Sequence, residues 1–384
     1  MKRIYFDNAA TTRVDPRVLA KMRAFFSEKY GNPNSLHSFG REAREAVEAA
    51  RESAAKVINA KPNEVIFTGS GTEANNLAIK GIAFAKKKGH VIVSAIEHHC
   101  VLEAAEWLKS QGFDVSVLGV DKDGLVNLDE LEKTIRPDTI LVSIMTANNE
   151  IGTIEPIREI SKICHDHGVL FHTDAVQAYG KIPIDVKRDG IDLLSASGHK
   201  IYGPKGVGLL YIREGIEITP LLHGGGQEFG IRSSTENVPG IVGFGAAAEI
   251  CRKTMTQEAA RLKKMRDVLI KALSKIPHSR LNGHPEKRLP NNVNFSFEFI
   301  EGEALVSSLD AEGIAVSTGS ACSSRSLKPS HVLLAIGLPP HIAHGSMRLT
   351  LGRFNTASEV RYAQKVIPRV IENLRKISPY KGKW

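Results

Sequence analysis

With 384 residues, 42% of them hydrophobic and 24% charged, the chain has an ordinary globular composition, long enough for two or three domains, and argues against disorder or simple repeats. A net charge of +9 raises nucleic acid as a partner. The basic residues, however, are spread along helical segments such as 261–275 and 361–376, with dense runs only at 86–88 and 381–383, so a surface favouring anionic ligands is expected and no nucleic-acid site.

The N-terminal stretch MKRIYFDNAATT reads as no signal peptide, and no apolar run approaches the ~20 residues of a membrane span. Cysteines at 100, 164, 251 and 322 contain no C-x-x-C pair. That argues against a disulfide framework or structural zinc and fits a reducing cytoplasm.

From about residue 60 to 212, short apolar runs alternate with helical segments. Val65–Phe67, Val91–Val93, Val115–Val117, Ile140–Met145, Val169–His172 and Leu193–Leu194 read as buried strands. Helices are expected at Glu73–Lys87 and Ile157–His167, and Asn127 with Glu130 marks a helix start. The alternation predicts an α/β fold with a largely parallel sheet covered on both faces. Val207–Ile212 follows a Gly/Pro-rich turn with no helix before it, so it is expected to pair antiparallel.

Past Gly240 the pattern changes. A small-residue helix (Phe244–Cys251) leads into Leu262, Met265, Leu269, Leu273 and Ile276 on one helical face. Val293, Phe295, Phe297 and Phe299 alternate with polar residues as a half-buried strand, and Met347, Leu349 and Leu351 do likewise. A last helix opens at Thr356-x-x-Glu359, runs to about Ile377 and should kink at Pro368. These elements predict a second, smaller α+β domain. The expected division is a large domain over 16–258, with 1–15 and 259–384 forming the small one.

Ser195-Ala-Ser-Gly-His199-Lys200 places a lysine at a strand end among small, hydroxylated residues, as a Schiff base to pyridoxal phosphate requires. The same pattern arises by chance, with a surface lysine as the plain alternative. Asp174 follows an apolar strand, where a carboxylate can pair with a pyridinium nitrogen or simply cap a helix. Thr68-Gly-Ser-Gly-Thr72 opens a helix straight after a strand, so its backbone N–H groups can approach a phosphate. It lacks the Walker lysine and the full G-x-G-x-x-G, which disfavours nucleotide.

Taken in order, Tyr5-Phe-Asp-Asn-Ala-Ala-Thr-Thr12, Thr72-Glu-Ala-Asn-Asn, Glu97-His98, Asn148-Asn149-Glu150, Asp174-Ala-Val-Gln177, Ser197-Gly-His199-Lys200, Arg232-Ser-Ser-Thr235, Ser320-Ala-Cys322 and Arg348-x-x-Leu-Gly-Arg353 resemble the cysteine desulfurases of the NifS/IscS type. These belong to the class-V aminotransferases, fold-type-I enzymes that use pyridoxal 5′-phosphate (PLP). The resemblance implies a seven-stranded, mostly parallel sheet flanked by helices. It also implies removal of sulfur from L-cysteine, giving L-alanine and a persulfide on Cys322.

Carried over position by position, Lys200 would bind the coenzyme covalently and Asp174 would pair with its ring nitrogen. His98 would stack on the ring and take part in proton transfer, with Gln177 and Asn149 near the phenolic oxygen. Gly71, Thr72, Ser197 and His199 would hold the phosphate, joined by Thr235 from the other subunit of a homodimer. Arg348, together with Asn149, would meet the substrate, the guanidinium taking its α-carboxylate. Sulfur would pass to an iron–sulfur scaffold or another acceptor protein, and Cys322 could transiently ligate a [2Fe–2S] cluster during delivery.

Cys322 itself lies among small polar residues without an aliphatic anchor, which suits a nucleophile on an exposed loop. Arg325 is expected to raise its thiolate fraction. Cys100, Cys164 and Cys251 read as packing residues, His99 as a mere neighbour of His98, and Arg353 as a structural ion pair. The remaining histidines show no site around them.

Overall fold

The computed structural model describes residues 3–318 and 329–379. The chain opens with β1 (Ile4–Tyr5), α1 (Pro16–Ser27) and α2 (Ser38–Val57). Alternation follows through β2 (Val65–Thr68), α3 (Gly71–Lys86), β3 (His90–Ser94), α4 (His99–Ser110), β4 (Asp114–Leu118), α5 (Leu128–Thr134), β5 (Thr139–Ser143), α6 (Ile157–Asp166) and β6 (Leu170–Asp174). Then come β7 (Leu193–Ser197) and β8 (Gly208–Ile212), with α7 (Val238–Leu273) after them. The rest comprises β9 (Ser279–Leu281), β10 (Asn292–Phe297), α8 (Gly302–Ala311), β11 (Ile314–Ala315), α9 (His331–Ala335), α10 (Pro340–His344), β12 (Ser346–Thr350) and α11 (Ala357–Ile377).

Seven strands form one sheet in the order β2-β8-β7-β6-β5-β3-β4. Only β8 runs against its neighbours β2 and β7. Its antiparallel pairing follows from the short turn after Lys200, which leaves no crossover helix. Alternate residues of each strand feed opposite cores: Val65 and Phe67 pack with α1, α2 and α7, whereas Ile66 packs with α3 and α4. Burial on both faces explains why the inner strands read as unbroken apolar runs; the edge strand β4, expected to be buried, instead leaves Val117 54% exposed.

A second core gathers Ile4 and Phe6 with Leu262, Leu269, Val293, Phe295, Met347, Leu349, Val360 and Ile367. It lies on the three-stranded sheet β12-β10-β9 and the parallel pair β1-β11. The helix α7 is continuous over 36 residues and serves both cores, the large one through Cys251 and the small one from Leu262. We propose the domain boundary within it, at residue 258, with 1–15 joining 259–384.

Two expectations need correction. The strand β10 is buried on both faces, because Asn292 and Asn294 each donate through Nδ2 to the Glu150 carbonyl (2.9 and 3.0 Å) and Ser296 accepts from Asn282 (2.9 Å). Hydrogen-bonded polar side chains can be buried as fully as the apolar ones they alternate with. The strand also stops at Phe297, and Phe299 turns the chain with φ +70°. The last helix does open on the expected capping box at Thr356 and Glu359, and it continues through Pro368.

Candidate active site

The carboxyl ends of β2, β3, β5, β6 and β7 share one edge of the sheet, where α/β folds place their ligands. A cavity of about 320 Å³ opens there. Gly71, Thr72, His98, Asn149, Asp174, Gln177, Ser197, His199, Lys200 and Arg348 all line it. Gly71 and Arg348 are 277 positions apart in the chain, and the fold brings them to one cavity at the sheet edge.

Ser70 caps α3 by accepting from the Glu73 N–H, which leaves the N–H groups of the first turn directed along the helix axis at its positive end. A Cβ on Gly71 would come within 2.8 Å of Val176 Cγ2 and 3.4 Å of Ser197 Cβ. Glycine therefore lets this turn pack close to the end of β7. His199 accompanies it, with Nδ1 3.1 Å from Thr11 Oγ1. Burial and then the Lys200 charge push its imidazole down to about 4, so it is neutral at pH 7.

Asp174, at the end of β6, is only 4% exposed. Its Oδ2 accepts from Asn75 Nδ2 (2.7 Å) and its Oδ1 from the Val176 N–H (2.8 Å). Burial raises its pKa, with the His98 imidazole pulling the other way. His98 caps α4, its Nδ1 accepting from the Cys100 N–H at 3.2 Å. Burial lowers the His98 pKa.

Lys200 Nζ donates to the carbonyls of Ala9 (2.5 Å) and Ala10 (2.7 Å). Gln177 Nε2 donates to the same Ala9 oxygen (3.0 Å), while its Oε1 accepts from Lys181 Nζ (3.1 Å). The segment after β1 thus closes one side of the cavity. Arg348, 2% exposed, donates to the Asn149 carbonyl (3.1 Å) and to Asp7 (3.0 Å). Its Nε is buried with no hydrogen-bond partner among the described residues, an unspent donor of the kind a carboxylate satisfies.

Thr235 stands exposed in the loop before α7 and does not line this chain's own cavity. Cys322, with its proposed cluster ligation, lies outside the described residues, as does Arg325. Among the described residues no group of three or more His, Cys, Asp or Glu could hold a metal ion.

Several cavity residues escaped the sequence reading. Cys100 packs against the core beneath α3 and α4 as expected but also lines the cavity among polar partners, and His99 and His331 lie there with their rings 4.6 Å apart. His331 Nε2 donates to the Glu97 carbonyl (2.9 Å), and Ser330 Oγ donates to the buried Glu150 carboxylate (2.5 Å). No local signal marks these residues, because their partners come from distant segments. Arg353 is a structural ion pair as expected, bonded to Asp15 (2.9 Å) and Glu258 (2.8 Å) and lying over the Tyr202 ring.

The family model "Aminotransferase class-V" matches residues 4–362. The chain belongs to the class-V aminotransferases.

Relatives in that family include "Cysteine desulfurase IscS" of Dictyoglomus turgidum, 55% identical over 100% of this chain and 98% of its own length. "Cysteine desulfurase, mitochondrial" of Saccharomyces cerevisiae is 50% identical over 98% of this chain and 76% of its own length. The solved structure titled "NIFS-LIKE PROTEIN" superimposes with a TM-score of 0.91 at 45% identity, covering 97% of this chain and 100% of that one.

Class-V aminotransferases use PLP, and the residues of this cavity fit it. The α3 N-terminus with Gly71 offers a close, positive cradle suited to a phosphate. Asp174, whose charge burial disfavours, is suited to a cationic ring nitrogen. Lys200 stands on the same cavity wall.

Proposed function

We propose that this class-V aminotransferase is a cysteine desulfurase that binds PLP through Lys200 and moves sulfur from L-cysteine onto Cys322. The observation that carries the reading is the convergence of Lys200, Asp174, His98 and Arg348 on one cavity at the sheet's carboxyl edge, in a chain whose full-length relatives bear that name.

When bound, the coenzyme supplies an electron-withdrawing ring that stabilises negative charge at the substrate's α-carbon. Asp174 holds a proton at the ring nitrogen, and Gly71, Thr72, Ser197 and His199 hold the phosphate. Gln177 and Asn149 orient the ring through its phenolic oxygen. Arg348 receives the substrate carboxylate, exchanging part of its bonding to Asp7 and engaging its unpaired Nε. Lys200 Nζ takes the proton from the substrate's α-carbon, and His98 Nε2 serves proton transfer nearby. The Cys322 thiolate attacks the substrate sulfur: an S–S bond forms, the C–S bond breaks and its electron pair stays with the β-carbon. Protonation of that carbon, and return of a proton to the α-carbon, give L-alanine, with the persulfide left on Cys322.

The chain is proposed to act as a homodimer in which Thr235 completes the partner's phosphate site. In support, Phe26, Tyr30 and Leu36 are 64%, 67% and 86% exposed, and Asn34 beside them bonds Glu236 in the Thr235 loop (3.1 Å). The persulfide is proposed to feed iron–sulfur cluster assembly or another thio-cofactor in the cytoplasm. No described helix is long and apolar enough to cross a membrane.

Lys200→Ala tests the assignment. Borohydride should fix the coenzyme covalently to wild type and not to the variant, and alanine formation from L-cysteine should vanish. Turnover near the wild-type rate in Lys200→Ala would refute the role.

A further inference from the structure

Between the two ionisable groups Asp174 and His98 lies a third polar side chain that the mechanism above does not use. Cys100 Sγ is 3.1 Å from Asn75 Nδ2 and 3.0 Å from His98 Nδ1. The same Asn75 nitrogen donates to Asp174 Oδ2 at 2.7 Å. An amide NH₂ has two hydrogens, so Asn75 can serve both acceptors at once.

The directions of these bonds follow from one backbone contact. The Cys100 N–H, which can only donate, points at His98 Nδ1 (3.2 Å). That nitrogen therefore presents its lone pair, so in the contact with the thiol beside it the sulfur is the side that carries the hydrogen. Burial pushes the Cys100 thiol up to about 12, so its proton stays in place. The sulfur lone pairs are then left to accept from Asn75 and from the Thr72 hydroxyl. When His98 is neutral, its single proton sits on Nε2.

We propose that Cys100 is a positioning residue of the reaction, its S–H locking His98 as the Nε2–H tautomer while its sulfur holds the Asn75 amide against Asp174. One side chain thereby sets the orientation of both the imidazole and the carboxylate that are to flank the coenzyme. The inference rests on the reading of this cavity as the PLP site of a desulfurase. Other charged or titratable groups facing His98 are Asp174, Lys200, His99 and His331, and none of them makes the Nδ1 contact that Cys100 makes.

A hydroxyl can donate and accept in the same two directions, whereas a methyl group can do neither and leaves one buried Asn75 N–H unsatisfied. The test compares Cys100→Ala with Cys100→Ser in the full chain. In the coenzyme-free protein, nitrogen NMR of labelled histidines follows the titration and tautomer of His98, assigned by its loss in His98→Gln. The His98 midpoint should rise in Cys100→Ala, because a donor to the neutral form's lone pair is gone, and should return in Cys100→Ser. In the holoenzyme, kcat for alanine formation should fall about 3–10-fold in Cys100→Ala with KM unchanged, and recover to within about twofold in Cys100→Ser.

An unaltered His98 titration, an unaltered kcat, or Cys100→Ser as impaired as Cys100→Ala each overturns the proposal. A wild-type enzyme that makes no alanine from cysteine would instead sink the desulfurase reading, while the coenzyme-free titration would still report on Cys100.

Discussion

Arg348 Nη2 lies 3.0 Å from Asp7 Oδ1, so the guanidinium that faces the cavity from β12 is already met by a carboxylate from the N-terminal segment. The pair keeps a 3%-exposed side chain compensated before substrate arrives, since a lone buried charge is costly. It also pre-orients the planar fork for a second carboxylate.

Arg348→Lys should therefore keep the charge and lose the fork. Loss of one charge-assisted hydrogen bond is expected to raise KM for L-cysteine about 10–100-fold with a smaller change in kcat, as steady-state kinetics would read. An unchanged KM would place the substrate carboxylate elsewhere.

Asp174→Asn separates a coenzyme role from a folding role. Because burial raises the Asp174 pKa, its contribution to the stability of the coenzyme-free protein is present below the ordinary value of about 3.9 and lost as pH rises through the folded value. At pH 8 the coenzyme-free variant should melt no lower than wild type. The holoenzyme should show the reverse, with a smaller stabilisation by PLP and kcat down by at least about 100-fold. Melting curves with and without coenzyme check both halves. A variant destabilised equally in both states would make Asp174 a structural residue.

Glu155 offers a pH test away from the cavity. Burial pushes its carboxyl up to about 8, against the Val126 N–H that donates to it at 3.2 Å. Its other oxygen has no partner among the described residues. The folded value is raised, so stability from this group is full below about pH 4.3 and is lost as pH rises through about 8. Glu155→Gln should remove that loss: wild type and variant converge at low pH, and the variant melts higher at pH 9. Calorimetric scans across this range would show it, and parallel curves would contradict it.

Much of this architecture could be read before the structure. Asp174 and Lys200 stand just past apolar runs, and a polar residue at the end of a buried strand is conspicuous in any parallel sheet. The antiparallel β8 followed from its missing helix. The Ala9 and Ala10 carbonyls that receive Lys200 were not legible, because backbone acceptors leave no trace in residue type and lie 191 and 190 positions away. The polar side of Cys100 was hidden for a related reason: a cysteine in the first turn of an amphipathic helix looks like packing, which it also does, and only the fold brings Asn75 to it. In β10, Asn292 and Asn294 imitate a solvent-facing row although the Glu150 carbonyl buries them.

The account stands or falls on where the sulfur goes. The most direct measurement is alanine and sulfide formed from L-cysteine with a reductant, wild type beside Cys322→Ala, each loaded with PLP. The account predicts both products from wild type and neither from the variant, which should still bind the coenzyme and cysteine. Alanine and sulfide released by Cys322→Ala at the wild-type rate would contradict it and assign the chain a lyase chemistry that does not use this thiol.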